Sequence, residues 1–473
     1  MDVATDLDSV ADLPRPTLPP DASGGRSAAV VASGCLPEGR RFDSDRPPPD
    51  PAAIASCILT LEALRHADPD DPARLAVERA AAHLTKSAKQ KRRLARKQEN
   101  RRLDREDASG SARAAAYFQR PPSSAQRVLR NERHCYVCKQ PFRRLHAFYH
   151  ALCAACAERN LAARTDTAEL SGRRAIVTGG RVKIGFEATL ALLRAGAHVT
   201  LTTRFPRDAA RRFDEACPLW RDRLEIIGLD FIDVRGVMAW IDKLLERDEP
   251  LDILINNAAQ TVRRPPAYYA SLAAGELDAL PAPNPPEAIE RSTVEALMFP
   301  DRLDEEGQPL DLRPRNSWVL TAGEVEPVEL AEVHVVNAIV PFLLASRLRP
   351  LFTRSPFPDR YIVNVSAMEG VFSYANKQPR HPHTNMAKAA LNMFTRTSAA
   401  EYLVDGIYMN SVDTGWITQE NPFPTKRHLE AGGFCPPLDV LDGAARVLAP
   451  ILRGVRGDRV AGAFLKDYEP STW

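Results

Sequence analysis

The sequence predicts an α/β fold with a doubly wound parallel sheet, and three observations support the prediction. From Arg173 onward, short β-branched segments alternate with segments of helical spacing, which is the pattern of βαβ units. The first segment, RRAIVTGG, ends in glycines and is followed by a helical segment, FEATLALLRAGA, and a second strand, HVTLTTR. The 473 residues are enough for two or three units. We therefore predict a Rossmann-type domain over residues 168–473, preceded by smaller N-terminal regions.

Residues 1–84 are rich in proline, alanine, aspartate and serine, as in the segment RPPPDPAA. Such a composition buries too little apolar surface to offset the conformational entropy lost on folding. We predict a disordered region here, in which one helix around Ala52–Arg65 is the alternative. The sequence shows no secretory signal and no apolar stretch near the ~20 residues of a membrane-spanning helix. We therefore expect a cytoplasmic protein that does not contact a membrane.

A basic segment lies within residues 85–128. Residues 86–107 hold ten basic and four acidic side chains with almost no apolar ones, which predicts a helix without a face to bury. One hypothesis is contact with a nucleic acid or an acidic protein, and the other is a solvated charged helix. We favour the second because no aromatic side chains interleave to stack on bases. Such segments also act as import signals, so a nuclear location is the alternative to a cytoplasmic one.

Four of the eight cysteines form two close pairs. Two residues separate Cys135 from Cys138 and Cys153 from Cys156, and fourteen residues lie between the pairs. Each short spacing directs two thiolates at one ion, and tetrahedral zinc accepts four such ligands. We predict a small structural zinc module over residues 129–162, which also offers a surface for a partner. Buried structural cysteines without a metal are the alternative.

The loop after the first strand of the large domain is the candidate cofactor site. Its glycines let the backbone approach a pyrophosphate at the start of the next helix. The following segments continue the alternation of strands and helices in a fixed order. They are a third strand ending at Asp230, a fourth ending in NNAA, a helix with Asn337, a fifth strand YIVNVSAMEG, a long helix with Lys388 and a sixth strand IYMNSVDTG.

The order of these motifs resembles the short-chain dehydrogenase/reductase family over about 300 residues. The resemblance implies a seven-stranded parallel sheet and an NAD(P)-dependent oxidoreductase that acts on a small molecule. The implied cofactor-binding residues are Thr178, Gly179, Gly180, Arg181, Lys183, Ile184, Gly185, Arg204, Asp230, Asn257, Ala258 and Lys388. Lys183 replaces the family's second loop glycine, as a basic residue does in pteridine reductases. Cations at Arg204, Arg181 and Lys183 suit a 2′-phosphate, so we expect NADP(H) rather than NAD(H).

Two catalytic positions depart from the family pattern. Thr384 stands where a tyrosine normally precedes the lysine by four residues, and Ala367 stands where a serine normally precedes Gly370 by three. Ser366 is adjacent, but neighbouring strand residues face opposite sides. A threonine hydroxyl is a poor proton donor compared with a phenol. The candidate catalytic residues are Asn337, Lys388, Tyr374, His381, His383, Thr384 and Ser366.

Two hypotheses follow from these departures. In the first, the protein is an enzyme in which Tyr374, His381 or His383 replaces the tyrosine, or whose substrate needs no acid. Histidine donates protons near neutral pH. In the second, the chain binds NADP(H) without turnover and acts as a regulatory or interaction module. We favour the enzyme because the cofactor half of the site is intact.

Residues 263–330 form an insertion that is long for this family. Such insertions beside an active site are often lids or interfaces. Tyr268, Tyr269 and Trp318 either line a substrate pocket or pack on the surface. After Gly415, the segment WITQENPFPTKRHLEAGGFCPPLD lies where the family carries its substrate loop. The resemblance also implies a homo-oligomer formed through the helix that carries Lys388.

Overall fold

The computed structural model describes residues 50–123, 127–216, 218–277, 292–304, 307–374 and 377–473. The chain divides into two compact units between Gln90 and Lys91. The predicted disorder of residues 1–49 lies outside the described residues, as do residues 278–291 and 305–306 of the predicted insertion.

The first unit is helical where the structure describes it. Helix α1 spans Pro51–Leu64, and helix α2 spans Pro72–Ser109 and continues into the second unit. Asp50 caps α1 by accepting a hydrogen bond of 3.1 Å from the Ala52 N–H. Helix α1 lies where the sequence offered a helix around Ala52–Arg65 as the alternative, whereas α2 differs from the predicted disorder over residues 72–84. The stretch ARLAVERAAAHL explains the difference in α2, because alanine and leucine have high helix propensity.

The second unit begins with the end of α2 and a small cysteine-containing region. This region contains helix α3 (Ala112–Tyr117), the antiparallel hairpin of β1 (Val128–His134) and β2 (Pro141–Arg144), and helix α4 (Ala154–Arg164). The carboxylate of Asp104 accepts backbone hydrogen bonds from Arg130 at 2.7 Å and Asn131 at 3.0 Å. Because Asp104 is buried, α2 does have a buried face at its end, contrary to the prediction of a helix without one.

An eight-stranded sheet forms the centre of the second unit, in the order β10-β9-β8-β7-β6-β3-β4-β5. Its strands are β3 (Arg174–Thr178), β4 (His198–Thr203), β5 (Leu224–Gly228), β6 (Ile253–Asn256), β7 (Arg360–Ser366), β8 (Ile407–Asp413), β9 (Phe464–Lys466) and β10 (Glu469–Ser471). Neighbouring strands are parallel except β9 and β10. The structure thus has the seven parallel strands that the resemblance implies, with an antiparallel strand added at one edge.

Helices cover both faces of the sheet, which confirms the doubly wound α/β fold. They are α5 (Lys183–Arg194), α6 (Pro206–Ala216), α7 (Val234–Arg247), α8 (Ala270–Leu277), α9 (Thr293–Met298), α10 (Pro327–His334), α11 (Val340–Arg347), α12 (Arg349–Thr353), α13 (Pro382–Leu403), α14 (Phe423–Ala431) and α15 (Val440–Val455). One buried apolar cluster joins α5, α6 and α15 to the sheet, and another joins α7, α11, α12 and α13 to it. The hydrophobic core is therefore divided between the two faces.

The chain reverses its direction of winding between β3 and β6. It runs outward from β3 through β4 to β5, and it then returns to β6 on the other side of β3. In open parallel sheets, ligands bind outside the carboxyl ends of the strands at such a reversal. We call this place, outside the carboxyl ends of β3 and β6, the cofactor cleft.

One helical stretch within the described residues is long and apolar enough to cross a bilayer by length and composition alone. It is Pro327–Arg347, with a mean hydropathy of 1.7. This differs from the expectation that no apolar stretch approaches that length. Val340 and Leu344 of this stretch are fully buried in the core between the sheet and α7. Burial within the domain accounts for part of its apolar composition, since 39% of the apolar window is buried.

Candidate cofactor-binding and active site

Two glycines allow close contact at the cofactor cleft. Gly179 follows β3 with a φ of +67°, and a Cβ there would lie 2.9 Å from the Ala258 Cα. A Cβ on Gly185 would lie 2.3 Å from the Gly179 carbonyl oxygen. No side chain fits at either position without moving the backbone. The β3–α5 loop therefore needs both glycines to lie against the chain that follows β6.

Thr178 and Asn257 hold the two sides of the cleft together. The Thr178 hydroxyl accepts the backbone N–H groups of Asn257 and Ala258, both at 2.9 Å. The Asn257 side chain donates to the carbonyls of Thr178 at 3.0 Å and Gly179 at 3.1 Å. These bonds fix the loop before any ligand binds, as a preorganised cofactor site requires.

Lys183 begins α5 in an unusual backbone conformation. Its φ is +54°, a region that favours glycine and explains why the resembling family places glycine here. Its ammonium lies 3.5 Å from a carboxylate oxygen of Glu420, in the segment after β8. This cation is the largest influence holding the pKa of Glu420 below its usual value. The substrate-loop segment thus contacts the cofactor loop through one ion pair.

The cations predicted to select NADP(H) have different surroundings. Arg204, directly after β4, is exposed, lies 4.4 Å from the centre of the Tyr269 ring and donates to its hydroxyl at 2.8 Å. Arg181 is buried and bonded to Asp208 at 2.5 Å and Gln308 at 2.7 Å. Although burial opposes it, hydrogen bonds from arginines including Arg181 hold the pKa of Asp208 at about 2. Asp208 therefore pairs with Arg181 as well as with Arg211 and Arg212, whereas Arg204 is exposed beside an aromatic ring.

The remaining cofactor candidates lie around the same loop. The Gly180 position is tight, since a Cβ there would lie 3.0 Å from the Leu201 Cβ. The Asp230 carboxylate accepts the Ile232 N–H at 3.0 Å in the turn after β5. Ile184 packs against an apolar cluster outside the cleft and so supports the start of α5 on the side away from the cleft.

Lys388 is buried in α13 beside the end of β7. Its ammonium donates to the Val365 carbonyl oxygen at 2.7 Å. Burial disfavours its charged form and lowers its pKa to about 8. A Cβ on Gly370 would lie 2.6 Å from the Lys388 carbonyl carbon, so the turn after β7 packs directly on α13. The position of the lysine depends on this glycine.

Asn337 lies in one turn of π-helix, Val335–Ile339, between α10 and α11. Such turns occur frequently at functional sites. Its side chain is buried, accepts the Gln260 N–H at 2.7 Å and donates to the Gln260 carbonyl at 3.2 Å. Asn337 therefore fixes the chain that leaves the cofactor cleft after β6.

The two substituted catalytic positions lack hydroxyl groups aligned for proton transfer. Ser366 is buried, and its hydroxyl donates to Asn392 of α13 at 2.6 Å, on the side opposite to its neighbour Ala367. Thr384 is buried, and its hydroxyl has no hydrogen-bond partner within the described residues. Neither residue reproduces the serine and tyrosine of the resembling family.

His381 and His383 occupy different surroundings at the start of α13. The His381 ring stacks on Trp318, with 4.0 Å between centroids and 12° between planes, and its Nδ1 lies 3.1 Å from Asn385 Oδ1. Burial lowers its pKa, although the ring is only half-buried. Tyr374, by contrast, is 43% exposed. Of the three candidate acids, His381 is the one held by an aromatic stack on the insertion.

The His383 ring is 1% exposed, and its Nε2 lies 3.2 Å from Glu329 Oε1 of α10. Burial opposes ionisation of Glu329, but contact with His383 holds its pKa below the usual value. Sequence reasoning did not select Glu329. The one sequence feature that points to Glu329 is its position about two helical turns before Asn337. This spacing places both side chains towards one face of the helix.

The four predicted metal ligands come together. The Sγ atoms of Cys135, Cys138, Cys153 and Cys156 all lie within 4.8 Å of one another. The Cys138–Cys153 Sγ distance is 3.7 Å, close to the roughly 3.8 Å separation of two thiolates bound tetrahedrally to zinc at about 2.3 Å. The Cys153 N–H also points at the Cys135 Sγ at 3.3 Å. The donor set therefore fits one tetrahedral ion.

Comparisons with known proteins agree with this arrangement. The short chain dehydrogenase model matches residues 173–274, and the enoyl-(acyl carrier protein) reductase model matches residues 320–429. The chain belongs to the short-chain dehydrogenase/reductase family. The members of this family are oxidoreductases. In this chain, a cysteine-rich region precedes the family's domain.

Several relatives show how far the similarity extends. An uncharacterized protein, R665, of Acanthamoeba polyphaga mimivirus is 30% identical over 341 residues, which cover 67% of this chain and 71% of R665. A probable oxidoreductase of Streptomyces lividans is 42% identical over 94 residues, which cover 19% of this chain and 29% of the relative. L-xylulose reductase of Mesocricetus auratus is 36% identical over 96 residues, which cover 20% and 36%. The last two relatives are thus matched over little more than a third of their length at most.

Two solved structures illustrate which known proteins this chain resembles. NADPH-bound carbonyl reductase from chicken fatty liver is 20% identical with a TM-score of 0.42, and the match covers 64% of this chain and all of that one. A short-chain dehydrogenase/reductase of Burkholderia multivorans with bound NADP has the same identity and TM-score and is covered to 99%.

The buried ammonium of Lys388 predicts a pH dependence of stability. The unfolded lysine titrates near pH 10.4, whereas in the folded chain its pKa is about 8. Between these values the unfolded state binds more protons, so the contribution of Lys388 to stability rises with pH. Relative to Lys388→Met, the free energy of unfolding should rise by on the order of 1 kcal/mol per pH unit between pH 8 and 10.

Urea unfolding without cofactor measures this difference. The exposed Lys89 of α2 provides the matched control, because Lys89→Met should leave the pH dependence unchanged. Equal slopes for the unmutated protein and Lys388→Met would contradict the prediction.

Proposed function

We propose that the protein is an NADP(H)-dependent oxidoreductase in which His381 replaces the tyrosine as proton donor. The observation that carries this proposal is the position of His381. It stands immediately before α13 in a left-handed backbone conformation, with φ +41°, and it precedes Thr384 by three residues and Lys388 by seven. His383, one residue from Thr384, is instead directed at Glu329.

The surroundings of His381 orient its ring, although burial lowers its pKa and so reduces the fraction of the protonated acid near neutral pH. The His381 ring stacks nearly parallel to the Trp318 ring, and Asn385 lies at hydrogen-bond distance from Nδ1 of His381. If Nδ1 engages Asn385, the other ring nitrogen, Nε2, remains to face a substrate oxygen. NADPH, when bound, would supply a hydride to a substrate carbonyl carbon. A protonated His381 would donate the proton that the oxygen takes up, which balances the reduction of the carbonyl to an alcohol.

Arg204 supports NADP(H) as the cofactor. An exposed guanidinium directly after the second strand of the domain suits a 2′-phosphate, where NAD-binding proteins carry an acid. The contact with Tyr269 restricts the guanidinium before a ligand arrives. Because Asp208 pairs with Arg181, we assign the phosphate contact to Arg204 and a loop-fixing role to Arg181.

The substituted positions favour a second candidate function. Ala367 offers no hydroxyl, and the Thr384 hydroxyl is a poor acid. A chain with a preserved cofactor loop and no effective donor would bind NADP(H) without turnover and act as a regulatory or interaction module. Screening carbonyl, enone and imine substrates for loss of NADPH absorbance separates the two functions.

We also propose that the four cysteines bind one structural zinc ion. The clustered Sγ atoms and the distance of 3.7 Å support this assignment. Four thiolates leave no open coordination position, so the ion would stabilise the fold rather than catalyse the reaction. The zinc and the oxidoreductase activity are separate proposals about one chain.

Loss of the Arg204 guanidinium should reduce affinity for NADPH selectively. A charge-assisted hydrogen bond contributes about 1.5–3 kcal/mol, so Arg204→Ala should weaken NADPH binding by about one to two orders of magnitude. NADH affinity should barely change. Calorimetry on Arg174→Ala is the control, because Arg174 pairs with Glu249 at the opposite end of β3. Equal affinity of the unmutated protein for both cofactors would refute the assignment.

Loss of the His381 imidazole should reduce the rate once a reducible substrate is known. His381→Ala should lower kcat by about 10²–10⁴-fold with little change in NADPH affinity. His198→Ala is the control, because His198 is exposed at the amino end of β4, opposite to the carboxyl ends that border the cofactor cleft. Tyr374→Phe and His383→Ala test the other two candidates. An unchanged rate for His381→Ala would exclude His381 as the donor.

The full-length protein should contain one zinc ion per chain. Elemental analysis after expression with zinc should show Cys138→Ser losing most of the metal, because three thiolates bind zinc less tightly than four. Cys57→Ser is the control, since Cys57 is an exposed free cysteine of α1. Metal content near zero in the unmutated chain would disprove the zinc site.

A further inference from the structure

The cysteine-rich region shares a hydrophobic core with the catalytic domain. Cys135, Tyr149 and Leu152 form one buried cluster with Ile417 and Leu438, which belong to the segment after β8. Ile184, at the start of α5, packs against the same cluster. The predicted zinc module is therefore packed as part of the large domain.

The segment after β8, residues 414–438, is fixed at both ends to the cysteine-rich region. We call it the β8 loop. At its start, the Tyr136 hydroxyl accepts the Trp416 N–H at 2.8 Å. At its end, the Leu438 N–H donates to the Trp416 carbonyl at 3.3 Å, and Arg113 of α3 donates to the Leu438 carbonyl. The two ends of the loop are thus joined to each other and to α3 and the hairpin turn.

The packing behind the β8 loop leaves little freedom. A Cβ on Gly443 of α15 would lie 2.3 Å from Ile417 Cδ1 and 3.0 Å from Ile184 Cγ1. Tyr149 donates a hydrogen bond to Asp442 in the first turn of α15, and Arg164 of α4 pairs with the same carboxylate at 3.1 Å. The cysteine-rich region, the β8 loop and the cofactor-binding helix α5 therefore meet at one point of α15.

The β8 loop also reaches the cofactor cleft. Glu420, within the loop, lies 3.5 Å from the Lys183 ammonium, and its backbone carbonyl accepts a hydrogen bond of 3.0 Å from Asn316 of the insertion. A displacement of the loop at Trp416 or Ile417 would therefore move Glu420 relative to the pyrophosphate-binding backbone. A series of contacts between neighbouring residues thus connects the cysteines to the cofactor cleft.

We propose that metal bound by the four cysteines positions the β8 loop through Tyr136, so that metal occupancy controls the order of this loop beside the cofactor cleft. Tyr136 lies between Cys135 and Cys138, and an ion that holds both thiolates also fixes the backbone carrying the tyrosine ring. Without an ion, the four thiols interact only weakly, and the turn has more accessible conformations. This inference rests on the proposed zinc site, but it does not depend on the proposed hydride transfer.

Hydrogen exchange of the full-length protein tests the proposal directly. After chelation of zinc, amides of residues 414–438 should exchange at least about tenfold faster, because opening of the loop becomes easier. Amides of β3, β6 and β7 should change little. Zinc loss without a change in loop exchange would overturn the proposal. A chain that takes up no zinc at all would overturn it together with the zinc site.

Tyr136→Phe tests the hydrogen bond while keeping the ring and the cysteines. With zinc bound, the variant should exchange the Trp416 region about three- to tenfold faster, the effect expected for loss of one ordinary hydrogen bond. Tyr402→Phe is the matched control, because it loses a hydrogen bond of 3.2 Å to Ala345 far along α13. If both variants exchange the loop like the unmutated protein, Tyr136 does not position it.

A second measurement links the loop to the site. Tyr136→Phe should raise the NADPH dissociation constant, and any substrate KM, about two- to tenfold while leaving kcat within about twofold, because it changes loop order and no reacting group. A fall in kcat alone would overturn the positioning role. If NADPH does not bind even the unmutated protein, the proposed function fails, and the exchange experiment still decides the role of the metal.

Discussion

The cofactor cleft depends on the close approach of the β3–α5 loop to the chain that follows β6. Gly179 and Gly185 permit this approach, because a side chain at either position would overlap the neighbouring backbone. Thr178 and Asn257 then fix it with four hydrogen bonds. The reversal of strand order places this contact at the carboxyl ends of the parallel strands, and the hydrogen bonds preform the cleft there.

Further from that contact, the domain combines preserved and substituted chemistry. Lys388 is held by the turn at Gly370, and Asn337 is held by the chain beyond β6, so the structure fixes both side chains. The residues that would complete a proton relay are replaced, and a histidine stacked on the insertion stands nearby. The insertion thus supports the substituted site from outside the sheet. It does so through Trp318, which belongs to the insertion, and through its contact with Arg181.

The cysteine-rich region is an integral part of this domain. It packs on α15 and on the β8 loop, and its aromatic residues fill the space between them. A small hairpin and one helix bury too little apolar surface to fold stably alone, and the shared core together with four clustered thiolates resolves this shortage. Stability of the region and order of the β8 loop are therefore coupled through the same residues.

The sequence by itself determined the order of strands and helices, the glycine loop, the cysteine pairs and the two missing catalytic groups, because each is a local pattern of spacing. Only the tertiary structure decided that Asp208 pairs with Arg181, that Glu329 contacts His383 and that Tyr136 accepts a hydrogen bond from Trp416. The helical start of α2 also escaped composition-based reasoning. Contacts between distant segments depend on how helices pack across the sheet, and no local spacing encodes that geometry.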